Sequence, residues 1–395
     1  MQNRKPSVVA EPDAETLVAR ARALIPALRA RSAAAEKARQ CPRETIDDLR
    51  AAGVTRVVQP RRYGGYGMDW DVLCRIAMEL GQGCGGQAWA ATVLADHPCL
   101  AGMFSKQAQD EIWGANPETL VSTSYGPRGI VRRVDGGYAL TGRWMFSSGV
   151  AHSGWTIVGG FLAGDDGKPR YHFFLVPGSD RSIVDDWDVM GMAASGSYSF
   201  DLADAFVPAH RVLDGSLVTA GDPPGASVNP ESLHRMPIFG FTGTVLVSVT
   251  VGVAIGMVKE FEAMLREGAG AAPGRPGTED MMARAAEASA EVECARLLVL
   301  ESARNNMVRL RAGHRLDEGD AALTSRNSAY VAKLVKQAAT RLMEACGGSG
   351  LATSGYMQRA FRDIFAGTAH TTLNWGRSNA RYGHHLAGWP PQSPI

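Results

Sequence analysis

The sequence predicts an α+β protein built from three successive parts. Residues 1–118 and 226–395 carry apolar residues at helical spacing, whereas residues 119–225 break into short runs rich in β-branched and aromatic residues. Glycine, aspartate and proline separate these runs, as in a compact antiparallel barrel or sandwich. A chain of 395 residues is long enough for two or three domains. We expect an N-terminal helical domain, a central β-domain and a C-terminal four-helix bundle.

Five helices are predicted in the first part. Apolar residues recur at helical spacing from Asp13 to about Gln40, which indicates one helix there. Proline favours the first position of a helix and glycine the position after its end, so Pro42 opens a second helix that Gly53 ends. The remaining three helices are expected at about 71–80, 87–104 and 106–114.

Six strands are predicted in the central part. The Asp135-Gly136-Gly137 sequence is typical of a hairpin turn between two of them. Val207-Pro208 is expected to close the domain, and residues 221–230 form a plausible linker. The strands are expected at 120–125, 130–134, 138–146, 156–162, 171–176 and 197–206.

Four helices are predicted in the last part. The first contains residues 238–258, a segment as long as a membrane span. It holds several hydroxyl residues and glycines and has no flanking basic cluster, so a helix buried in a bundle is favoured over a span. The helices are expected at 237–267, 277–313, 319–346 and 356–383, with the first loop at 268–277.

Composition excludes several classes of function. A formal net charge of +1 provides no general attraction to nucleic acid or to an anionic membrane. The six cysteines form no CxxC pair, so neither a zinc site nor a disulfide framework is expected. We expect no other metal site. Reduced thiols and the absence of an apolar signal core near Met1 favour a cytoplasmic protein.

The segment 81–86 matches the pattern GxGxxG of dinucleotide-binding proteins. That motif requires a strand before it and an acidic residue about 20 positions after it. Here a helical segment comes first, and no acidic residue stands at the expected place. We interpret the segment as a turn between helices, so no NAD(P)H-binding unit is predicted.

Three further motifs stand in a recognisable order. Trp144-Met145-Phe146-Ser147-Ser148-Gly149 ends a predicted strand, and Gly191-Met192-Ala193-Ala194-Ser195-Gly196-Ser197 precedes another. Near the C-terminus, residues 345–350 and 358–363 lead into Ile364-Phe365-Ala366-Gly367-Thr368-Ala369-His370. Read alone, each motif also suits an ordinary strand end, β-turn or helix end.

Together these motifs resemble the acyl-CoA dehydrogenase superfamily over nearly the whole chain, from Pro42 to about Arg381. Many dehydrogenases of this fold carry their catalytic glutamate immediately before the Gly-Thr pair. Ala366 occupies that position here and cannot take a proton. The resemblance is therefore to the branch that performs oxygen chemistry, the oxygenase components of two-component (group D) flavin-dependent monooxygenases, such as para-hydroxyphenylacetate hydroxylase.

This resemblance implies a flavin enzyme with a partner. Reduced flavin, FMNH2 or FADH2, would come from a separate NAD(P)H-flavin reductase and react with O2 through a C4a-hydroperoxyflavin. The expected reaction is hydroxylation of a phenolic or other aromatic substrate. The resemblance also implies a homotetramer.

The resemblance assigns a flavin-binding role to eight residues. Trp144 and Phe146 would form an apolar wall, because an isoalloxazine ring needs apolar contacts and a few donors. Ser148 would lie near flavin N5, and Arg235 would reach the carbonyl edge, although a surface arginine is nearly as plausible. Backbone and hydroxyl contacts are expected from Ser147, Ser195, Gly196 and Ser197.

Substrate contacts are implied for His370, His97 and Ser124, with Ser122 as the alternative serine. Histidine suits a base that removes a phenolic proton, since its ordinary pKa of about 6.5 is close to working pH. His370 is the first candidate and His97 the second. A histidine inside a helix such as the one that contains His97 is more often a packed residue.

Three alternatives remain open. The first is oxygenation of nitrogen or sulfur by the same branch, which needs no phenol-binding histidine. The second is an acyl-CoA dehydrogenase with its base on another helix. The third is a helical scaffold without catalytic activity.

Overall fold

The computed structural model describes residues 11–164, 166–267 and 276–390. Helices lie at both ends of the chain and two β-sheets lie between them. The N-terminal helices and one face of the first sheet share a core with the start of the C-terminal helices. A second core fills the C-terminal bundle, and a third fills the space between the two sheets.

The N-terminal region contains six α-helices. The single helix predicted from Asp13 to Gln40 is wrong, because Leu24 separates two helices and Pro26 stands in the first turn of the second. Proline has no N–H to donate, so it is disfavoured in a helix interior and favoured in the first turn of a helix. The helices are α1 Ala14–Ala23, α2 Ile25–Ala38, α3 Arg43–Ala51, α4 Trp70–Gly81, α5 Gly85–Ala101 and α6 Lys106–Trp113.

Helix α5 is the central element of the molecule. All 17 of its residues are buried, and it packs against α4, α8, α11 and strand β1. The segment 81–86 joins α4 to α5, so the predicted turn between helices is confirmed. Close packing requires Gly86, since a Cβ there would lie 2.9 Å from the Cβ of Ala194.

The central region is a sandwich of two four-stranded sheets, ordered β1-β4-β5-β8 and β2-β3-β7-β6. The pair β1–β4 is parallel and the other pairs are antiparallel. Val207-Pro208 does not close the domain, because β8 follows and pairs with β5. Strands β6 and β8 have only four and three residues and escaped prediction. The strands are β1 Val121–Ser124, β2 Ile130–Val134, β3 Gly137–Trp144, β4 Trp155–Ala163, β5 Pro169–Pro177, β6 Arg181–Val184, β7 Ser199–Pro208 and β8 Val212–Asp214.

The sandwich core is built around Trp144. Its side chain is 0% exposed and its ring stacks on Phe200 with centroids 6.3 Å apart. Its indole Nε1 donates to the carbonyl of Gly159 over 3.0 Å. Trp144 is therefore an internal packing residue between the two sheets.

The C-terminal region corrects the last predicted helix. Residues 356–383 form two helices, because α11 ends at Thr368 and His370 begins a short 3-10 turn that leads to α12. The predicted loop 268–277 lies, except for its last two residues, outside the described residues. The helices are α7 Gly215–Thr219, α8 Gly243–Arg266, α9 Thr278–Arg311, α10 Glu318–Cys346, α11 Tyr356–Thr368 and α12 Trp375–Leu386.

Among the described helices, α8 alone is long and apolar enough by composition to cross a membrane. Within the fold, 78% of its apolar window is buried. It packs closely on α4, where a Cβ at Gly252 would lie 2.3 Å from the carbonyl oxygen of Met78. Trp70 of α4 donates to Thr244 Oγ1 over 2.9 Å. These contacts are those of a helix inside a bundle.

Replacing the buried indole tests the placement of Trp144. We expect Trp144→Ala to lower the free energy of unfolding by about 3–5 kcal/mol, because it empties a filled core and leaves the Gly159 carbonyl without its donor. Chemical denaturation measures this change. An unfolding free energy within about 1 kcal/mol of the wild type would contradict the packing described here.

Candidate active site

Trp89 joins two of the residues that the sequence singled out. Its indole Nε1 donates to Ser148 Oγ over 3.1 Å. Its ring lies beside the imidazole of His370, with centroids 5.9 Å apart and planes inclined by 50°. Helix α5, the segment after β3 and the end of α11 therefore meet at one buried tryptophan. Sequence reasoning missed Trp89, although it is the one aromatic residue in a helix of mostly small side chains.

Three predicted serines form one hydrogen-bonded chain beside Trp89. Ser148 Oγ lies 2.6 Å from Ser197 Oγ, which lies 2.7 Å from Ser195 Oγ. All three side chains are buried. The strand-end motif and the Gly-Met motif are thus parts of the same site.

A fourth serine has a free hydroxyl. Ser147 Oγ is fully buried and has no hydrogen-bond partner within the described part of the chain. A buried hydroxyl without a partner is unfavourable, so a polar group of a ligand or a water suits this position.

Phe146 presents its ring to solvent from an unusual backbone conformation. Its φ is 61°, which is rare for a residue other than glycine, and 62% of the residue is exposed. The ring edge contacts Trp187 with centroids 6.2 Å apart. Strain of this kind is concentrated at functional sites, and the exposed ring is available as a wall for a planar ligand. The wall role predicted for Trp144 is not supported, since its ring is enclosed in the sandwich.

The segment 190–197 is clamped onto α11. Asp363 Oδ1 accepts from the backbone N–H of Met192 over 2.6 Å, and Arg362 donates to the carbonyl of Met190 over 2.5 Å. Burial raises the pKa of Asp363 to about 6. A carboxyl in the middle of α11 thus holds the loop that carries Ser195 and Ser197.

His370 lines the site with a defined tautomer. Its Nδ1 accepts from the backbone N–H of Thr372 over 3.3 Å and lies 2.9 Å from the hydroxyl of that residue. In the neutral ring the proton therefore sits on Nε2. His370 is exposed at the surface of the chain, and desolvation by the neighbouring protein atoms lowers the pKa of His370. His370 is a neutral donor through Nε2.

His97 has the opposite tautomer. Its Nδ1 lies 3.0 Å from the carbonyl of Val121, which can only accept, so Nδ1 carries the proton. Its Nε2 lies 2.8 Å from Thr123 Oγ1 and 3.3 Å from Asp96 Oδ1. Burial lowers the pKa of His97 to about 4 and raises the pKa of Asp96 well above its usual value. Burial therefore favours the neutral forms of both groups, and in the neutral ring of His97 the acceptor is Nε2.

The two histidines occupy separate positions along α5. His97 lies eight residues after Trp89, or about 12 Å along the helix axis. Trp89 contacts His370, whereas His97 contacts strand β1. His370 thus lies beside the start of α5 at Trp89, and His97 lies near the other end of the same helix, against strand β1.

The two candidate substrate serines, Ser124 and Ser122, have partners within the protein. Ser124 Oγ donates to the carbonyl of Met145 over 2.7 Å, and Ser122 Oγ pairs with Thr156 Oγ1 at 2.9 Å. Successive side chains of a strand point to opposite faces, so Thr123 between them reaches His97. Thr123 and neither serine contacts His97, and the substrate contact expected of Ser124 stays a prediction.

Arg235 also departs from its predicted role. Its guanidinium donates to the carbonyl of Ala226 over 3.0 Å and lies 3.8 Å from Asp222 Oδ1. Both partners belong to the linker before α8, and half of the side chain is exposed. In this structure Arg235 holds the linker, so the structure does not support contact with a flavin carbonyl.

Two family models match the chain. The model of the acyl-CoA dehydrogenase N-terminal domain covers residues 11–113, and that of the acyl-CoA dehydrogenase C-terminal domain covers residues 244–375. The position of the dehydrogenase glutamate holds Ala366, which is partly buried against the core. The chain therefore matches the acyl-CoA dehydrogenase domains but has no carboxylate at the position of the dehydrogenase base.

Curated relatives and solved structures match the full length. The oxygenase component of FADH(2)-dependent resorcinol hydroxylase from Rhizobium sp. is 32% identical, over 95% of each chain. The oxygenase component of p-hydroxyphenylacetate 3-hydroxylase from Acinetobacter baumannii is 31% identical, over 93% of this chain and 88% of the other. The crystal structure of 3-HSA hydroxylase from Rhodococcus sp. RHA1 superposes with a TM-score of 0.92 at 29% identity, over 97% of this chain and 100% of the other.

The clamp on α11 predicts a pH-dependent stability. The pKa of Asp363 rises from 3.8 to about 6 on folding, so between about pH 4 and 6 the folded state holds a proton that the unfolded chain has lost. The free energy of unfolding contributed by this group therefore falls as pH rises through that window. Asp363→Asn keeps an oxygen for the Met192 N–H and removes the titration.

Between pH 4 and pH 7 the free energy of unfolding of the wild type should fall by about 2–3 kcal/mol more than that of Asp363→Asn. Denaturation curves recorded at several pH values measure the difference. Parallel pH dependences for the two proteins would show that Asp363 does not titrate in this range.

Proposed function

The chain belongs to the oxygenase components of flavin-dependent monooxygenases of the acyl-CoA dehydrogenase family, and we propose that it hydroxylates a phenolic substrate at the site around Trp89. It is a monooxygenase that uses reduced flavin, FMNH2 or FADH2, and O2. The observation that carries the proposed site is the contact of Trp89 with both Ser148 and His370. Its relatives are named for resorcinol and p-hydroxyphenylacetate, both phenols.

The residues present fit an isoalloxazine ring. Phe146 offers an exposed aromatic face, and Ser147 holds a buried hydroxyl without a partner. Ser148 and the segment 195–197 add hydroxyls on the same side. We assign Ser148 to flavin N5. When bound, the reduced flavin supplies two electrons that activate O2, and one oxygen atom enters the substrate while the other leaves as water.

The protein's first task is to exclude water. Helix α5 is buried along its whole length, and Met192 packs under the end of α11, close to Trp89. A dry site limits the loss of reducing equivalents as hydrogen peroxide. The clamp of Asp363 on Met192 keeps this side closed.

The second task is to remove the phenolic proton. The sequence favours His370 as the base and His97 as the second candidate, but His97 offers an acceptor nitrogen and His370 a donor, which supports His97. We propose that His97 is the base and that Thr123 passes the substrate proton to its Nε2. Removing this proton raises the electron density at the ring carbon that is hydroxylated. His370 donates from Nε2 to an oxygen in the site.

The two histidines favour a phenol over the other substrates. Oxygenation of an amine or a sulfide needs no group that removes a substrate proton in this way. Acyl-CoA dehydrogenation needs a carboxylate base. Many dehydrogenases carry this base at the position that Ala366 occupies here, and an alanine side chain is only a methyl group.

Partners follow from the same proposal. The relatives are named as oxygenase components, which implies a separate reductase that supplies the reduced flavin.

We propose a homotetramer, supported by large apolar side chains that remain exposed on the C-terminal helices and the segment before α11, among them Tyr330, Leu351, Phe365 and Trp375. Sedimentation equilibrium tests it. We propose a cytoplasmic location, supported by six free cysteines.

A direct experiment tests the activity. The purified protein is titrated with photoreduced FMN or FAD without oxygen and then mixed with 18O2 and a panel of phenols. We expect binding of reduced flavin and one 18O atom in a hydroxylated product. Absence of binding by either reduced flavin would overturn the proposal.

The base is tested with phenols of different acidity. We expect His97→Asn to lower the yield from a weakly acidic phenol by about 10²–10⁴-fold, since a positioned base contributes that much. A phenol already ionised at the assay pH needs no base, so most of the yield should return. His370→Asn should lose product with both phenols while flavin binding and oxygen consumption persist.

His314→Asn provides the matched control, because this histidine is exposed and lies outside the site. If both phenols lost product equally in His97→Asn, His97 would not be the base. Wild-type yield in His370→Asn would remove His370 from the site.

A further inference from the structure

Helix α5 carries two buried polar side chains whose hydrogen-bonding groups are not used within the protein. Thr92 Oγ1 has no hydrogen-bond partner in the described part of the chain. Asp96 is 7% exposed, and its close polar neighbour among the described residues is Nε2 of His97, 3.3 Å from Oδ1. Buried polar groups without partners are unfavourable, so both side chains suit a polar group of a ligand.

Both side chains lie on the face of α5 that carries Trp89. Residues three, four and seven positions apart share one face of a helix, and Thr92 and Asp96 follow Trp89 by three and seven positions. Trp89 contacts Ser148 and His370, so this face points toward the proposed site. From Trp89 to Asp96 the face is about 10 Å long, enough for one aromatic ring with its substituents.

Two buried hydroxyls of α8, which packs on α5, are used within α8 itself. Ser248 Oγ donates to the carbonyl of Thr244 over 2.7 Å, and Thr250 Oγ1 donates to the carbonyl of Val247 over 2.8 Å. Their hydrogens have acceptors in their own helix, so α5 gains no partner from them.

No cation acts on this part of the site. Burial raises the pKa of Asp96 well above its usual value and lowers the pKa of His97 and of His370. No lysine or arginine of the described chain contributes to any of these three shifts. A substrate carboxylate would therefore be buried here without a positive partner, which is strongly unfavourable. A neutral carboxyl offers one acceptor and one O–H, which match a hydroxyl group.

We propose that Asp96, with Thr92 one helical turn before it, is a specificity-determining residue that binds a second hydroxyl group on the phenol ring. This rests on the proposed function, which places the reacting hydroxyl at Thr123 and His97. Thr123 and Asp96 lie beside the same imidazole nitrogen, so a ring that reaches one also reaches the other. The second hydroxyl donates to Asp96 and accepts from Thr92. Phenols with a carboxylate bind poorly, because no cation offsets their charge.

Pairs of ligands that differ in one hydroxyl test the preference. The protein is loaded with reduced FMN or FAD without oxygen, and calorimetry measures the binding of the benzenediols and of their monomethyl ethers. We expect at least one benzenediol to bind about 5–20-fold more tightly than its ether, as one or two neutral hydrogen bonds provide. 3-Hydroxybenzoate should bind at least about 10-fold more weakly than 3-hydroxybenzamide.

Substitutions on α5 assign the preference to its side chains. Asp96→Ala should abolish the preference for the diol, whereas Asp96→Asn keeps an acceptor and a donor and should retain it. Thr92→Val should reduce it by about 2–5-fold. Thr250→Val is the matched control, since it removes a buried hydroxyl that is bound within its own helix. The affinity for the ether should stay close to the wild-type value in all four variants.

The outcomes separate the inference from the proposed function. If every diol and its ether bound the wild type equally, the inference would be wrong and the proposed function would stand. A loss in Asp96→Ala that is equal for diol and ether would also overturn the inference, because Asp96 would then act through His97 or through packing. If no phenol bound the protein loaded with reduced flavin, the proposed function itself would fail.

Discussion

The complete burial of helix α5 is the constraint on which the site depends. A helix covered on every side favours small residues, and burial favours partners inside the protein for its polar side chains. Trp89 and His97 meet this requirement by bonding to the β-domain, at Ser148 and at Val121 and Thr123. These bonds fix the helix relative to the sandwich. The geometry of the site is therefore a consequence of satisfying buried donors and acceptors.

Desolvation favours the uncharged forms of three groups around helix α5. The loss of water around the charged form lowers the pKa of His97 and of His370 and raises the pKa of Asp96. Neutral imidazoles have one donor and one acceptor nitrogen, so the neighbours of each ring decide its role. His97 and His370 have the same side chain but opposite tautomers. A carbonyl faces Nδ1 of His97, whereas a backbone N–H faces Nδ1 of His370.

The sequence predicted the order of the domains and most elements, because helical spacing and glycine or proline boundaries are local signals. It missed β6 and β8, which are too short to carry a pattern. It also predicted one helix over 356–383, because the turn at His370 that separates α11 from α12 carries no glycine or proline signal. The serines near Ser148 were found through motif order. Trp144 and Arg235 were misplaced because the direction of a side chain depends on strand register and tertiary packing.

Phe146 carries a consequence for redesign of this enzyme. Glycine or asparagine would suit its left-handed backbone better, and a library selected only for thermal stability would enrich such replacements. Those variants would lose the exposed aromatic ring that we propose as a wall for the flavin. Thermostable variants of this enzyme should therefore be screened for flavin affinity, because a replacement of Phe146 that relieves the backbone strain also removes its aromatic ring.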